Sequence, residues 1–397
     1  MRVLLFSWEY PPHVVGGLGR HVSELVPALV QQGIEVHVVA PRSAGGEAQE
    51  KSAGLTVHRV EPPEAPPADF YTSAWQTNIR LQELGDRLCA TLHVDLIHNH
   101  DWLTAFAANA LKRGFKIPLL STIHATERGR GRGNLWTDQQ RAIHSAEWWL
   151  VYESWHVITC SLFMANEVST YFQAPPGKID VIPNGVKADR FARWEGTDLS
   201  HFRSMYALPE EKVVMYVGRI VQEKGLGVLV EAVPRVLDEH PEAKFVIAGT
   251  GDLIEPLRHR AWQLGVGAKV LFTGFIPDED RDRLYKVADC AVFPSLYEPF
   301  GIVALEAMAA RAPVVVSLVG GLQEVVKHGE TGITVYPDNP ESLAWGINHT
   351  LARPDWAAKR AANAYKLVLE EYNWTRIAQR TAKVYQRVVA ERAKTAW

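Results

Sequence analysis

Short apolar runs rich in β-branched residues alternate with amphipathic stretches of helical period along the whole chain. In the first half, Arg2–Ser7, Glu35–Ala40, Thr56–Val60, Leu96–Asn99, Leu119–Ile123, Val157–Ser161 and Asp180–Ile182 are predicted strands. In the second half they are Val213–Val217, Lys244–Ala248, Val270–Thr273, Cys290–Phe293, Val314–Ser317 and Thr334–Tyr336. Most are nearly continuous rather than alternating, as expected for strands covered on both faces of a parallel sheet. Helical stretches such as His21–Gln31 and Gly227–Glu239 separate them, so a doubly wound α/β architecture is predicted. The pattern restarts near Glu211, after the polar segment Asn184–Arg203. Glu61–Pro67, with four prolines in seven residues, reads as a loop. From Trp374 onward the chain is helical, with Ile377, Val384, Val388 and Val389 on one face.

At 397 residues the chain is long enough for two domains. Its 47% hydrophobic and 22% charged residues exclude wholesale disorder. A formal net charge of -3 gives no electrostatic ground for a nucleic-acid partner. Cys89, Cys160 and Cys290 are odd in number and far apart, which argues for buried thiols rather than a disulfide framework or a zinc site. MRVLLFSWEYPP is too short an apolar run for a signal peptide. Trp148–Met164 is interrupted by Glu153, Ser154 and His156 and falls short of a membrane span. A cytoplasmic protein without a membrane partner is the expectation.

In open α/β sheets ligands bind at the carboxyl ends of the strands, and three clusters stand there. Gly16-Gly17-Leu18-Gly19 precedes a helix, where backbone amides and the helix dipole favour an anion. The glycines come too late after the strand for a dinucleotide fingerprint. Gly218-Arg219 and Lys224-Gly225 follow the first strand of the second half, putting a planar cation and a point charge where a diphosphate would sit. Glu298 and Glu306 are eight residues apart, one in a loop and one about two turns into the next helix, and both suit sugar or ribose hydroxyls. Alone, each cluster is also compatible with a turn, a solvated pair or a cap. Two D-x-D matches, Asp278–Asp280 and Asp280–Asp282, read as the acidic opening of a helix rather than a metal site. His98 and His100 read as structural rather than zinc ligands.

The ordered set resembles the retaining nucleotide-sugar glycosyltransferases of the GT-B fold, family 4, which includes glycogen synthases. It comprises the opening loop FSWEYPPHVVGGLGRHVSEL, HNHDW (His98–Trp102), STIHA with His124, IPNGV (Ile182–Val186), GR-x4-KG, AGTGD (Ala248–Asp252), E-x7-E, GGLQEVV (Gly320–Val326) and Asn373-Trp374. The resemblance implies two Rossmann-like domains facing a cleft. The first, acceptor-side domain is residues 1–190 completed by a returning helix, 375–397; the second, donor-side domain is 191–374. It implies that Arg219 and Lys224 bind the donor diphosphate and that Glu306 holds the ribose. Glu298 and the amides of Phe300, Gly301 and Ile302, next to Val303, would grip the transferred sugar, with His124 beside it. Gly16, Gly17, Asn184, Gly218 and Gly249 complete the donor contacts, and Glu9, His100 and Asp101 are acceptor-side candidates. No metal or other cofactor is implied; the nucleotide-sugar is a co-substrate. Many glycogen and starch synthases have a Lys just before the glycine turn, where this chain has Val15, so one cationic donor contact is absent.

The expected reaction is transfer of a hexose, glucose above all, from UDP- or ADP-glucose to an α-glucan or small glucosyl acceptor. Arg128, Arg130 and Arg132, spaced by glycines after His124, read as an exposed, mobile strip. They motivate a maltose-1-phosphate-forming alternative with a sugar-phosphate acceptor. Trp148, Tyr152 and Trp155 recur at helical spacing and read as core. A lipid or other small acceptor, a sugar-nucleotide 2-epimerase and a non-catalytic nucleotide-sugar-binding scaffold are further alternatives. The absent dinucleotide fingerprint argues against a dehydrogenase.

Overall fold

A computed structural model describes residues 1–43, 45–63 and 69–397; the end of the proline-rich loop expected over Glu61–Pro67, from residue 64 on, lies outside the described residues. The chain divides into two α/β units, one formed by Met1–Gly185 with Trp374–Trp397 and the other by Val186–Asn373.

The first unit contains β1 (Arg2–Phe6), β2 (Glu35–Pro41), β3 (Gln49–Ser52), β4 (Leu55–Val60), β5 (Leu96–His100), β6 (Leu119–Ile123), β7 (His156–Thr159) and β8 (Ile179–Val181). They form one sheet in the order β3-β4-β2-β1-β5-β6-β7-β8. All neighbours are parallel except β3, which runs antiparallel to β4. The β3 strand has no counterpart in the apolar pattern. Its residues, QEKS, are all exposed at the sheet edge, where nothing requires an apolar side chain, and polar residues there discourage edge-to-edge pairing.

The second unit contains β9 (Lys212–Val217), β10 (Ala243–Ala248), β11 (Val270–Gly274), β12 (Cys290–Phe293), β13 (Val314–Ser317) and β14 (Ile333–Val335), all parallel. Their order is β11-β10-β9-β12-β13-β14. In each sheet the order reverses beside the unit's first strand, between β1 and β5 and between β9 and β12. That reversal opens a crevice outside the strand ends.

The last helix, Trp374–Arg392, belongs to the first unit because its apolar stripe completes that unit's core. Ile377, Val384, Tyr385 and Val388 are buried in one cluster with Val22, Leu25, Val26 and Leu29 of the helix Gly17–Gln31. Trp374 Nε1 donates to the buried carboxylate of Glu24. Gly185 lies flat under the same indole, where a Cβ would stand 2.8 Å from the ring.

Two expectations are corrected. Residues 126–134 are not a loose strip. Thr126 caps a helical turn, Glu127–Arg130, by accepting from the Gly129 amide, and the amides of Arg132, Gly133 and Asn134 all find backbone acceptors. The glycines permit tight turns here rather than mobility: a Cβ at Gly131 would lie 2.1 Å from the Asn134 carbonyl oxygen. In the helix Asp138–Glu153, Trp148 and Tyr152 stack on each other at 5.5 Å but face outward, at 44% and 67% exposure. The face toward the sheet is taken by Ile143, Leu150 and Val151. Trp155 does pack against the core, and its Nε1 donates to Glu391.

Candidate functional site: the strand ends of each unit

In the second unit, β9 ends at Val217 and the backbone turns sharply through Gly218, with φ 149°. Gly249, at the end of β10 with φ 143°, packs back to back with it: a Cβ at Gly249 would stand 1.8 Å from the Gly218 carbonyl oxygen. The two strand ends therefore approach closely only because both residues are glycine. Arg219 follows, half exposed, with Nη2 3.0 Å from Glu223 Oε1. Gly225 (φ 68°) turns the chain into the helix Leu226–Glu239, with its missing Cβ pointing at the Pro294 carbonyl. The carbonyl of Glu223 accepts from the amides of Leu296 and Tyr297, which locks the Lys224 turn to the loop after β12.

That lock brings Lys224 Nζ to 2.8 Å from Glu298 Oε2, which also accepts from Ser295 Oγ at 3.1 Å. Glu298 is buried, and its carbonyl accepts from the Gly321 amide of the GGLQEVV segment. Gly301 (φ 100°) opens the helix Ile302–Ala309, which carries Val303 and Glu306, with Phe300 buried just before it. The structure thus gathers Gly218, Arg219, Lys224, Gly249, Glu298 and Phe300–Val303 at one end of the second sheet. Glu306 is on the same helix but is already engaged. Its Oε1 accepts from Arg190 Nη2 at 2.9 Å, its Oε2 from Tyr285 at 3.2 Å, and Arg281 and Asp282 belong to the same buried network. Arg190 lies in the polar segment before β9 and carried no pattern that pointed to this role. Asp278, Glu279 and Asp280 open the helix Asp278–Val287, with Arg281 and Arg283 on Asp278 and Asp280.

In the first unit the glycine turn is organised by Glu9. Its Oε2 accepts from the amides of Val15 at 2.8 Å and Gly16 at 3.0 Å, and a Cβ at Gly19 would collide with its side chain. Glu9, expected on the acceptor side, thus shapes the loop that contains Gly16 and Gly17. The helix Gly17–Gln31 starts there and buries His21, whose Nδ1 is 2.6 Å from Asn184 Oδ1. Asn184 is therefore committed to His21 through its carbonyl oxygen. His21 was missed because a lone histidine in a first turn carries no distinctive spacing.

At the end of β5, Asn99 Nδ2 donates to the Asp101 carbonyl and Thr104 donates to Asn99 Oδ1. Asp101 is held at φ 56° and ψ -179°, a strained backbone region that residues other than glycine rarely adopt. Its Oδ1 accepts from the His124 amide at 2.7 Å, so the ends of β5 and β6 are joined. His100 Nδ1 is 3.0 Å from His124 Nε2, and the rings stack at 5.3 Å. His98 is separate: its nitrogens meet Tyr385 Oη at 2.7 Å and Thr122 Oγ1 at 2.8 Å. Burial holds His21, His98 and His100 well below the usual imidazole range and His124 down to about 3, so all four are neutral near pH 7. Burial pushes Asp101 up to about 7, an effect opposed by the His124 amide and the Arg130 guanidinium.

The three arginines go to different places. Arg128 lies over the Tyr171 ring at 5.0 Å and donates from Nε to the Gly133 carbonyl. Arg130 is 3.4 Å from Glu127 and electrostatically faces Asp101 and the buried Glu147, a carboxylate that accepts from the Glu127 amide. Arg132 is exposed, at φ 51°.

Among known proteins, the family described as Glycosyltransferase Family 4 matches residues 15–190, and the one described as Glycosyl transferases group 1 matches 201–367. The chain is 42% identical to an uncharacterized glycosyltransferase of Methanocaldococcus jannaschii, over 97% of this chain and 98% of that protein. It is 37% identical to the glycogen synthase of Mycobacterium tuberculosis, over 97% and 94% of the two. The sucrose-phosphate synthase of Thermosynechococcus elongatus superposes with a TM-score of 0.82 at 26% identity, covering 98% of this chain and 99% of the other. With glycine-led turns, paired cation and carboxylate, and histidines at the strand ends of two parallel sheets, the chain belongs to the family 4 glycosyltransferases and has the GT-B fold.

Proposed function

We propose that the protein is a retaining, metal-independent hexosyltransferase that moves glucose from UDP- or ADP-glucose to an α-glucan or a small glucosyl acceptor. The observation that carries this reading is the Lys224–Glu298 pair beside Arg219 at the β9 and β12 strand ends. The likeness to a glycogen synthase supports glucan as the acceptor class.

The chemistry follows from the charges. As the bond between the anomeric carbon and the phosphate oxygen breaks, its electron pair leaves with the nucleoside diphosphate, and Arg219 and Lys224 stabilise that growing negative charge. The acceptor hydroxyl oxygen bonds to the anomeric carbon from the side the diphosphate leaves, and its proton passes to the departing phosphate oxygen. Configuration is retained. Glu298, already bonded to Lys224 and Ser295, orients the donor sugar and is not the nucleophile. Glu306 receives the ribose hydroxyls when Arg190 yields its place. Neutral His124 accepts or donates at a sugar hydroxyl without adding charge. No metal is needed where two fixed cations meet the diphosphate, and the site of action is the cytoplasm.

The test is nucleotide release from UDP-, ADP- and GDP-glucose, with and without maltooligosaccharide or glucose 1-phosphate, in the presence of chelator. Release stimulated by the glucan, with an α-linked product by NMR, is expected. Release that responds only to glucose 1-phosphate transfers the reading to a maltose-1-phosphate-forming enzyme. No release from any donor sinks the transferase reading for these substrates.

A further inference from the structure

His21, His100 and His124 converge from three separate elements: the helix Gly17–Gln31, the end of β5 and the residue after β6. One ring nitrogen of each lies within 4.8 Å of one from each of the others. The His21 ring centroid is 4.7 Å from that of His124 and 5.4 Å from that of His100. Two of these rings have an unused nitrogen. His21 Nε2 and His100 Nε2 are buried with no hydrogen-bond partner, on side chains more than nine-tenths buried. Leaving such an atom unsatisfied is unfavourable unless something binds it.

From this we infer that His21, His100 and His124 form a site for one divalent transition-metal ion of the zinc class, held by three neutral imidazoles with a fourth position open to water or ligand. Imidazole suits zinc, cobalt, nickel and copper, and three histidines with an open position is an established stoichiometry for zinc. The Asn184 side-chain carbonyl accepts a hydrogen bond from His21 Nδ1–H, which fixes the tautomer and leaves the Nε2 lone pair bare, as an outer-shell partner of a metal-binding histidine does. With metal–nitrogen bonds of about 2.0 Å, tetrahedral nitrogens stand about 3.3 Å apart. The rings therefore close in by at most about 1.5 Å, and half-buried His124 leaves a way in from solvent.

Neighbouring histidines lack this arrangement. His98 spends both nitrogens on Tyr385 and Thr122. His37 and His58 pair with each other at 3.1 Å, as His100 and His124 do at 3.0 Å, but their remaining nitrogens are engaged by Glu35 and Gln49. The ion would block His124, making it an inhibitor rather than a cofactor; only that consequence rests on the transferase reading.

The test is titration of metal-stripped protein with Co2+, followed by its visible ligand-field absorption, then displacement by Zn2+. Saturation at one equivalent is expected. His21→Gln and His100→Gln should each weaken Co2+ binding by about ten-fold or more, while His58→Gln leaves it unchanged. Absence of a one-equivalent site, or binding indifferent to both substitutions, overturns the proposal. If a variant does not fold, X-ray absorption of the Zn2+-loaded wild type decides, since fewer than three imidazole ligands also overturns it. Metal binding in a protein that turns over no nucleotide-sugar would fault the transferase reading and leave the metal site standing.

Discussion

Lys224 donates to Glu298 across 2.8 Å, joining two residues 74 positions apart at the ends of β9 and β12. Each fixes the other's position. On the proposed function, the carboxylate holds the ammonium where a diphosphate oxygen is to arrive, and the ammonium keeps the carboxylate from acting as a free nucleophile.

Replacing Lys224 with Met removes the charge that, on the proposed function, acts as the leaving group forms. We expect kcat for nucleotide-sugar turnover to fall about 100- to 1000-fold, with circular dichroism unchanged. Glu298→Gln keeps the side-chain shape and should lower kcat through misplacement of Lys224. Wild-type turnover in both variants would remove the pair from the mechanism.

Gly249→Ala forces a Cβ to within 1.8 Å of the Gly218 carbonyl at φ 143°. Strand ends that cannot separate without breaking β9–β10 pairing should lose about 3 kcal/mol or more. Gly33→Ala is the control: its φ is 78° but no heavy atom lies within 4 Å, so about 1 kcal/mol of backbone strain is expected. Denaturant melts of the two variants distinguish a steric clash from conformational strain.

Trp374→Phe keeps the ring under which Gly185 packs and deletes the Nε1 donor to buried Glu24. A loss of about 1–2 kcal/mol is expected. Adding Glu24→Leu should recover part of it, because the carboxylate that lost this donor is then gone. A double variant no more stable than Trp374→Phe contradicts the pairing.

Acid should weaken the first unit through His58. Burial first, and then the His37 imidazole, hold His58 down to about 4, whereas the unfolded chain binds that proton near 6.5. Between those values the unfolded state takes up the proton and the folded state does not. The contribution is therefore complete above pH 6.5, is lost as pH falls toward about 4, and changes no further below. About 1–3 kcal/mol is expected across that window. His58→Gln should flatten this part of the stability profile measured by urea melts.

The alternation of apolar runs and helical stretches was enough to predict every strand except β3, because a parallel strand covered on both faces must be apolar along its whole length. The strand QEKS was invisible for the opposite reason: an exposed edge asks only for backbone pairing. Gly218, Arg219, Lys224 and Glu298 were legible as a glycine, two cations and a carboxylate just after predicted strands, while Gly249 and the roles of all five came from the family resemblance of the ordered set.

Partnership was decided only by the tertiary structure. Nothing in the spacing indicates that Arg190 would occupy Glu306, that Glu9 would hold the Gly16 amide, or that Asn184 would spend its carbonyl on His21. The arginines after His124 looked loose because glycine permits freedom, yet the turns of residues 126–134 use that freedom to close hydrogen bonds. Local sequence determines what a residue can do, since conformation and charge belong to the residue itself. Which carboxylate meets which cation, and which three histidines share one small volume, depends on strand order and sheet register, which are properties of the folded chain as a whole.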